Sequence, residues 1–238
     1  RIAFTASGSK AGHRAFDKTI AKEIIFQHGG KVPRGIMARG DHTGDARIRI
    51  EELMELVGQV VVKPVADGSS IGVHFVSGSE TLDAAVEELR ENPNDPYLIE
   101  ERILGRELTV GVVDGAEGPK ALPCSEVRLH DGREFDYAGK YLGDGVIEIT
   151  PAEISSQESL QAQELACMAH KALGCSGYSR TDIILTEDGV VFIETNTLPG
   201  LSSASFIPQQ LEAAQMKFAE FIQLQANLAR EKRNPLNS

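Results

Sequence analysis

Apolar residues recur at helical spacing in five segments of the chain, and each segment is followed by a glycine or a polar break. Such a period indicates an amphipathic helix whose apolar face packs on a core. One of these helices also has a start signal, because Ser155 and Glu158 form a capping-box pattern. The predicted helices lie at 15–28, 50–57, 82–89, 155–173 and 211–228.

Short apolar runs bounded by Gly, Asp and Pro lie between these helices and predict strands. VVVK at 60–63 is the first, and the loop ADGSS separates it from a returning strand IGVHFV. Between 97 and 150 follow YLIEERI, ELTVGVV, KALPCSEV and GVIEIT, and a hairpin occupies 178–200. Because strands and helices do not strictly alternate, we expect an α+β fold rather than a doubly wound parallel sheet, in two units, 1–96 and 97–238.

The amino-acid composition limits the kinds of molecule that we expect the protein to bind. The 238 residues carry 24 basic and 35 acidic side chains, a formal net charge of −11, so we expect neither nucleic acid nor a membrane as partner. The cysteines form no CxxC pair, and no apolar run approaches the roughly 18 residues of a membrane span, which predicts a reduced, cytoplasmic protein. The opening IAFTASGS has the pattern of a strand entering a turn, so we expect the chain to begin within a longer protein.

The hairpin YSRTDIILTEDGVVFIETNTLPG places acidic side chains in strand material. A three-residue turn of Glu187, Asp188 and a left-handed Gly189 would set Thr186 opposite Val190. By alternation, the pairs on one face are then Ile184 with Phe192, Asp182 with Glu194 and Arg180 with Asn196. The other face, which would meet the core, consists of Thr181, Ile183, Leu185, Val191, Ile193 and Thr195.

Two carboxylates directly opposite one another on a sheet repel, and a cation between them would relieve that repulsion. The oxygen donors of Asp182, Glu194 and Asn196 suit a hard ion such as Mg²⁺ better than zinc, which prefers nitrogen and sulfur. A solvated rim of the sheet is the alternative that this pattern leaves open.

A magnesium ion held by few carboxylates usually shares its shell with phosphates, so cations near glycine-rich backbone are expected. Lys63 ends VVVK and precedes ADGSSIG, whose N–H groups could face a phosphate. Lys22 follows Lys18 by one helical turn, and Lys140 lies in DYAGKYLGD, which has the composition of a lid loop. Ordinary surface lysines are the alternative in each case.

Four stretches together resemble the D-alanine–D-alanine ligases: VVVKPVADGSSIGV, LIEERILGRELTVGV, DYAGKYL and YSRTDIILTEDGVVFIETNTLPGLSSASFIP. The resemblance spans essentially the whole chain. It implies the ATP-grasp fold, in which two α+β subdomains, here 1–96 and 97–238, hold a nucleotide between their sheets. It also implies ATP and Mg²⁺, with Mn²⁺ as a substitute, and a cytoplasmic homodimer.

The same resemblance assigns roles to residues of this sequence. Nucleotide-binding positions are Lys22, Lys63, Ser70, Glu100, Glu101, Ile103, Glu107 and Lys140, with the two acids Glu100 and Glu107 on the adenine and ribose sides. The magnesium ligands would be Asp182, Glu194 and Asn196, and the second substrate would meet Gly200 and Ser205. Arg180 matches the arginine that steadies the charged intermediate, and Ser69 and Tyr141 match a hydrogen-bonded pair that orders the lid.

The implied reaction makes D-alanyl-D-alanine for peptidoglycan: ATP phosphorylates one D-alanine, and the amine of the second attacks the acyl phosphate. A different acceptor, namely D-lactate, D-serine or an L-amino acid, and a non-catalytic nucleotide-binding module remain alternatives. Tyr141 directly after Lys140 resembles the dipeptide-forming type. Because family members carry a further N-terminal domain that helps bind the first amino acid, we expect ATP and Mg²⁺ binding but little ligase turnover from these 238 residues alone.

Overall fold

The computed structural model describes residues 3–39, 43–67, 71–129 and 146–233. The helices in these ranges are α1 (Ser9–Phe16), α2 (Lys18–Gln27), α3 (Thr43–Val57), α4 (Ser79–Glu91), α5 (Ser156–Leu173), α6 (Phe206–Ala213) and α7 (Phe218–Arg233). The strands are β1 (Gly35–Arg39), β2 (Val60–Pro64), β3 (His74–Val76), β4 (Pro96–Glu101), β5 (Arg106–Gly115), β6 (Gly118–Ala121), β7 (Ser125–Leu129), β8 (Val146–Ile149), β9 (Tyr178–Thr186) and β10 (Gly189–Asn196). Across these ranges, no helix combines the length and the apolar character that a membrane crossing requires.

The smaller sheet has four antiparallel strands in the order β1-β4-β2-β3. Helices α3 and α4 pack on it, and fully buried residues such as Ile50, Leu89 and Ile99 form their common core. The apolar positions that predicted these helices are therefore the positions that each helix packs against this sheet.

The larger sheet has the order β10-β9-β5-β7-β8, and β6 also pairs with β5. Its two faces are buried by different helices, as the alternation along β5 requires. Val112 belongs to the core under α5 and α2, whereas Val113 on the opposite face packs with Ile207 of α6 and Phe221 of α7. The part of this second face that α6 and α7 leave uncovered turns toward the smaller sheet.

Strand β4, which the sequence analysis placed at the start of the second unit, pairs with strands of the smaller sheet. In the ladder, Glu100 pairs with Gly35 of β1 and Val61 of β2. Pairing between segments far apart in the chain has no local signature, because an apolar run fits either sheet equally well. The division of the chain at 96/97 stays a prediction.

Several predicted elements differ from the structure, and the single helix expected at 211–228 is in fact two helices, α6 and α7. The helix expected at 15–28 is two helices that separate at Asp17, whose carboxylate caps α2 by accepting from the amides of Thr19 and Ile20 at 2.9 and 3.0 Å. KALPCSEV divides into β6 and β7, and of IGVHFV only His74–Val76 forms a strand. Residues 3–8 contain no strand.

Candidate functional site

The hairpin that carries the expected metal ligands turns more tightly than predicted. Glu187 and Asp188 alone join β9 to β10, because Gly189 already pairs with Thr186. The predicted three-residue turn is therefore wrong. Gly189 does adopt a left-handed φ of +108°, as expected.

A two-residue turn by itself would place Asp182 and Glu194 on opposite faces of the hairpin, because side chains alternate along each strand. A β-bulge prevents this. The register shifts by one between Phe192 and Glu194, with Ile193 as the extra residue, and Glu194 consequently lies opposite Asp182. The predicted pairing of the two carboxylates is confirmed, but a two-residue turn and a β-bulge produce it instead of a three-residue turn.

The bulge predicts different costs for two neighbouring alanine substitutions. Phe192 is fully buried under α5 rather than paired with Ile184 on the site face, whereas Ile193 lines a cleft instead of the core. We expect Phe192→Ala to lower the free energy of unfolding by about 3–5 kcal/mol and Ile193→Ala by less than half as much. Urea denaturation measures both. The reverse order would contradict the bulge and support simple alternation.

A cleft of about 290 Å³ lies between the two sheets. The predicted site residues that line it are Lys63, Glu100, Glu101, Ile103, Glu107, Asp182 and Glu194. Side chains from β2, β3 and the segment after β4 form its apolar part, among them Val61, Phe75 and Leu104. The inter-sheet cleft therefore has charged groups beside an apolar wall, an arrangement typical of sites for small polar ligands.

Glu100 is the centre of a buried ion cluster at one side of this cleft. Lys22 of α2 and Lys63 of β2 both donate to its carboxylate, and the side chains of all three are at most 8% exposed. Burial raises the pKa of Glu100, but the charges of the two lysines outweigh it and hold that pKa below its usual value. Burial also lowers the pKa of Lys22 to about 8. Two lysines share one carboxylate, so this lysine–glutamate cluster carries excess positive charge.

Lys18 also contributes to the cleft, although the sequence assigned it no role of its own. Its ammonium group donates to the backbone carbonyl of Asp67 at 2.6 Å, and its side chain lines the cleft. Burial lowers its pKa. The signal that could have found it was its spacing of one helical turn from Lys22.

Arg180 holds Asp182 with two parallel hydrogen bonds. Its Nε donates to Oδ1 at 2.9 Å and its Nη2 to Oδ2 at 2.8 Å, and the hydroxyl of Thr109 donates to Oδ1 at 2.5 Å. The Asp182 charge raises the pKa of Arg180 despite burial, so this guanidinium is always charged. Thr109 was not predicted; it lies directly opposite Asp182 on β5.

The oxygen donors on this hairpin fit a hard divalent cation. Asp182 and Glu194 face each other, and Asn196 lies two residues beyond Glu194, opposite Arg180. The amide oxygen of Asn196 accepts from the backbone amide of Leu198 at 2.9 Å, which fixes its orientation. Within the described ranges no three His, Cys, Asp or Glu side chains cluster for metal binding. An ion held here would complete its shell with phosphate and water oxygens, as Mg²⁺ commonly does.

A second, smaller pocket of about 210 Å³ is lined by Arg180, whose hydrogen-bonded partner Asp182 lines the inter-sheet cleft. We call it the Arg180 pocket; it is also lined by Gly200, Ser205 and Phe206, so the structure brings both predicted second-substrate residues to the same guanidinium. The Arg180 guanidinium carbon lies 5.9 Å from the centre of the Phe206 ring. Ser205 is the residue before α6, and its hydroxyl lies 2.8 Å from that of Ser202.

Four predicted site residues, Ser69, Ser70, Lys140 and Tyr141, lie outside the described residues. Asn196 is exposed at the end of β10, and the remaining ones occupy three neighbouring places: the lysine–glutamate cluster, the inter-sheet cleft and the Arg180 pocket. A positive cluster, a pair of facing carboxylates and a fixed guanidinium suit a polyphosphate with its divalent ion on one side of Arg180 and a small anionic substrate on the other.

Comparisons with known proteins agree on one family. The model described as "D-ala D-ala ligase C-terminus" matches residues 35–225. A D-alanine–D-alanine ligase of Leptospira interrogans is 38% identical over 224 residues, which cover 92% of this chain and 63% of the relative. The chain therefore spans just under two thirds of that relative's length.

Solved structures of D-alanine ligases are also similar to this chain. The D-Ala:D-Ser ligase VanG of Enterococcus faecalis superposes with a TM-score of 0.82 at 30% identity, covering 94% of this chain and 64% of that one. A D-alanine–D-alanine ligase of Bacillus anthracis in complex with ATP gives a TM-score of 0.78 at 27% identity, covering 98% of this chain and 72% of that one.

Proposed function

Because this chain belongs to the D-alanine–D-alanine ligase family, we propose that it forms the ATP- and metal-binding part of an enzyme that joins two D-alanines at the expense of ATP. The predicted family and its α+β, ATP-grasp fold are confirmed. The reaction would proceed through an acyl phosphate and yield D-alanyl-D-alanine for peptidoglycan precursors. The observation that carries the proposal is the buried lysine–glutamate cluster facing two carboxylates across one cleft.

The cluster supports a polyphosphate ligand on electrostatic grounds. Lys22 and Lys63 share Glu100 in a site with little access to water, and a buried excess charge is costly unless a counter-ion approaches it. Phosphate oxygens from ATP would supply that counter-charge, and Lys18 would add a third ammonium group. The base would occupy the apolar part of the cleft beside Ile103, with Glu107 near the ribose and Glu101 beside the base. Glu100, which was expected on the adenine side, pairs with the two lysines instead.

Asp182, Glu194 and Asn196 would hold Mg²⁺, or Mn²⁺ in its place. When bound, the ion neutralises charge that develops on the phosphate oxygens during transfer. Arg180 is held by Asp182 between the inter-sheet cleft and the Arg180 pocket, so it would stabilise negative charge on the intermediate from a fixed position. The carboxylate of the acceptor amino acid would lie near Ser205 and Gly200.

D-serine is the second candidate acceptor, because the VanG D-Ala:D-Ser ligase is among the similar solved structures. The residues around the Arg180 pocket would bind the carboxylate that both amino acids share. Cytoplasmic location and a homodimer stay predictions, which cell fractionation and light scattering would test.

Nucleotide binding tests the proposal directly on this chain. We expect calorimetric titration to show ATP binding that requires Mg²⁺, and Lys63→Met to weaken it about 10- to 100-fold, the effect of removing one charge-assisted hydrogen bond. Lys120→Met is the matched control, because Lys120 is an exposed lysine on β6. Equal affinity of Lys63→Met and the control would contradict the proposed phosphate site.

ATP binding should weaken at alkaline pH. The pKa of Lys22 is about 8 in the free protein, so this lysine loses its proton as the pH rises above 8 and must regain it to bind phosphate. The dissociation constant is expected to rise by up to about tenfold per pH unit between pH 8 and 9.5. Lys22→Arg, whose guanidinium stays charged, should remove most of this dependence. A flat wild-type profile would contradict the assignment of Lys22.

A further inference from the structure

Gln210 is a fully buried polar side chain on α6 that the proposed reaction does not use. Its carboxamide is completely engaged. The oxygen Oε1 accepts from the backbone amide of Gly111 at 2.9 Å, while Nε2 donates to the backbone carbonyl of Thr109 at 2.9 Å and to the hydroxyl of Ser125 at 3.0 Å. The side chain therefore binds an N–H and a C=O of one strand, β5, as a neighbouring strand would.

This contact fills a gap in the larger sheet. On one side, β5 pairs with β7 as far as Thr109 and with β6 only from Val112 onward. The chain passes from β6 to β7 through residues 122–124, beside the backbone of residues 110 and 111. The carboxamide of Gln210 occupies that interruption and satisfies groups that would otherwise be buried there.

The residues of β5 that Gln210 contacts lie next to the strand that carries the proposed metal ligand Asp182. Thr109 and Gly111 lie opposite Asp182 and Arg180 on β9, and the Thr109 hydroxyl donates to Asp182. The same helix α6 begins after Ser205 and places Phe206 beside Arg180. One side chain thus connects the helix that borders the Arg180 pocket to the strand behind Asp182.

Gly111 has no role in the proposed site, but its contact with Gln210 requires its small size. A Cβ at position 111 would lie 2.5 Å from Oε1 of Gln210, 2.7 Å from Cδ1 of Ile207 and 3.0 Å from Cδ1 of Leu122. These atoms are the ends of three packed, buried side chains, so a methyl group here would displace the Gln210 carboxamide and its neighbours. Gly111 and Gln210 therefore form a matched pair.

We propose that Gln210 is a positioning residue that sets α6, and with it the Arg180 pocket, against the strand that supports Asp182. This inference rests on the proposed function, because it assigns the acceptor amino acid to that pocket. Loss of the carboxamide would let α6 shift relative to Arg180 while leaving the lysine–glutamate cluster, which lies on α2, β2 and β4, in place. Acceptor binding should suffer, and ATP binding should not.

The test compares Gln210→Met, which keeps the volume but loses the hydrogen bonds, with Gln209→Met as control. Gln209 is the preceding residue of the same helix, and its amide bonds Glu148 and Thr150 near the surface. In the full-length protein we expect Gln210→Met to raise the KM for the acceptor amino acid at least tenfold, with the dissociation constant for ATP within twofold of wild type. The control should change neither quantity more than twofold.

A double variant distinguishes the effect of the lost hydrogen bonds from a general loss of folding. Gly111→Ala combined with Gln210→Ala removes the same hydrogen bonds, while the added methyl group fills part of the space that the glutamine leaves. It should show the same rise in acceptor KM, and Gly111→Ala alone should be the least stable of the three variants in thermal unfolding. An active wild type with unchanged acceptor KM in both Gln210→Met and the double variant would overturn this inference alone. A wild type without amino-acid-dependent ADP formation would overturn the proposed function and this inference with it.

Discussion

Asp182→Asn and Glu194→Gln should each lower kcat for D-alanine-dependent ADP formation by about 10²–10³-fold in the full-length protein. Each substitution keeps the shape of the side chain and removes one of the two facing negative charges that would hold the divalent ion. Asp182→Asn also weakens the two hydrogen bonds that orient Arg180, so we expect it to be the more damaging of the two. A steady-state coupled assay at saturating ATP measures the effect.

The matched control for this pair is Asp188→Asn, an exposed carboxylate in the turn of the same hairpin. It should retain activity within about twofold, since surface substitutions away from special features have small effects. Raising the Mg²⁺ concentration should recover part of the activity of Glu194→Gln, because that variant loses ion affinity first. Full activity of Glu194→Gln at low Mg²⁺ would contradict the metal site on this hairpin.

Glu100→Gln should destabilise the ligand-free chain by about 3–5 kcal/mol, because it leaves Lys22 and Lys63 buried without their shared carboxylate. The destabilisation should shrink as the pH rises towards 8, because without the Glu100 charge the pKa of Lys22 falls further and this lysine loses its proton more readily. At acidic pH the wild-type chain itself loses stability. The lowered pKa of Glu100 gives stability that is present above about pH 4.5 and is lost as the pH falls through the folded-state pKa.

Urea denaturation of wild type, Glu100→Gln and Glu91→Gln measures these costs; Glu91 is an exposed acid at the end of α4. Adding ATP with Mg²⁺ should raise the stability of Glu100→Gln by at least as much as that of wild type, because phosphate oxygens would then neutralise the lysines. A Glu100→Gln variant as stable as Glu91→Gln at pH 7 would show that the ion cluster is not charged as described.

The hairpin shows what alternation can and cannot predict. Side-chain alternation located the facing pair Asp182 and Glu194. It assumed a turn that was one residue too long and a strand without a bulge, and these two errors cancelled. Val191, Phe192 and Ile193 are all apolar, so a strand with or without an extra residue fits the same letters. Only the packing of Phe192 into the core decides between them.

Contacts between residues far apart in the chain were the other feature that the sequence could not predict. The family resemblance marked Glu100 as a nucleotide-binding residue, but its partners lie on α2 and β2, far away in the chain. Gln210 fits an amphipathic helix and gave no signal of its contact with β5. Local periodicity thus predicted most helices and strands, whereas sheet membership and buried polar contacts depend on the tertiary structure.

The proposed function of this fold is the ATP-dependent joining of two D-alanines. The most direct test follows ADP formation by the full-length protein with D-alanine, D-serine, D-lactate or L-alanine as acceptor, and identifies each product by mass spectrometry. We predict D-alanyl-D-alanine, formed with one ADP per dipeptide and at a rate about 10²–10³-fold lower in Glu194→Gln. A protein that binds ATP with Mg²⁺ but forms no ADP with any of these acceptors, or that joins D-alanine only to a different acceptor, would contradict the account.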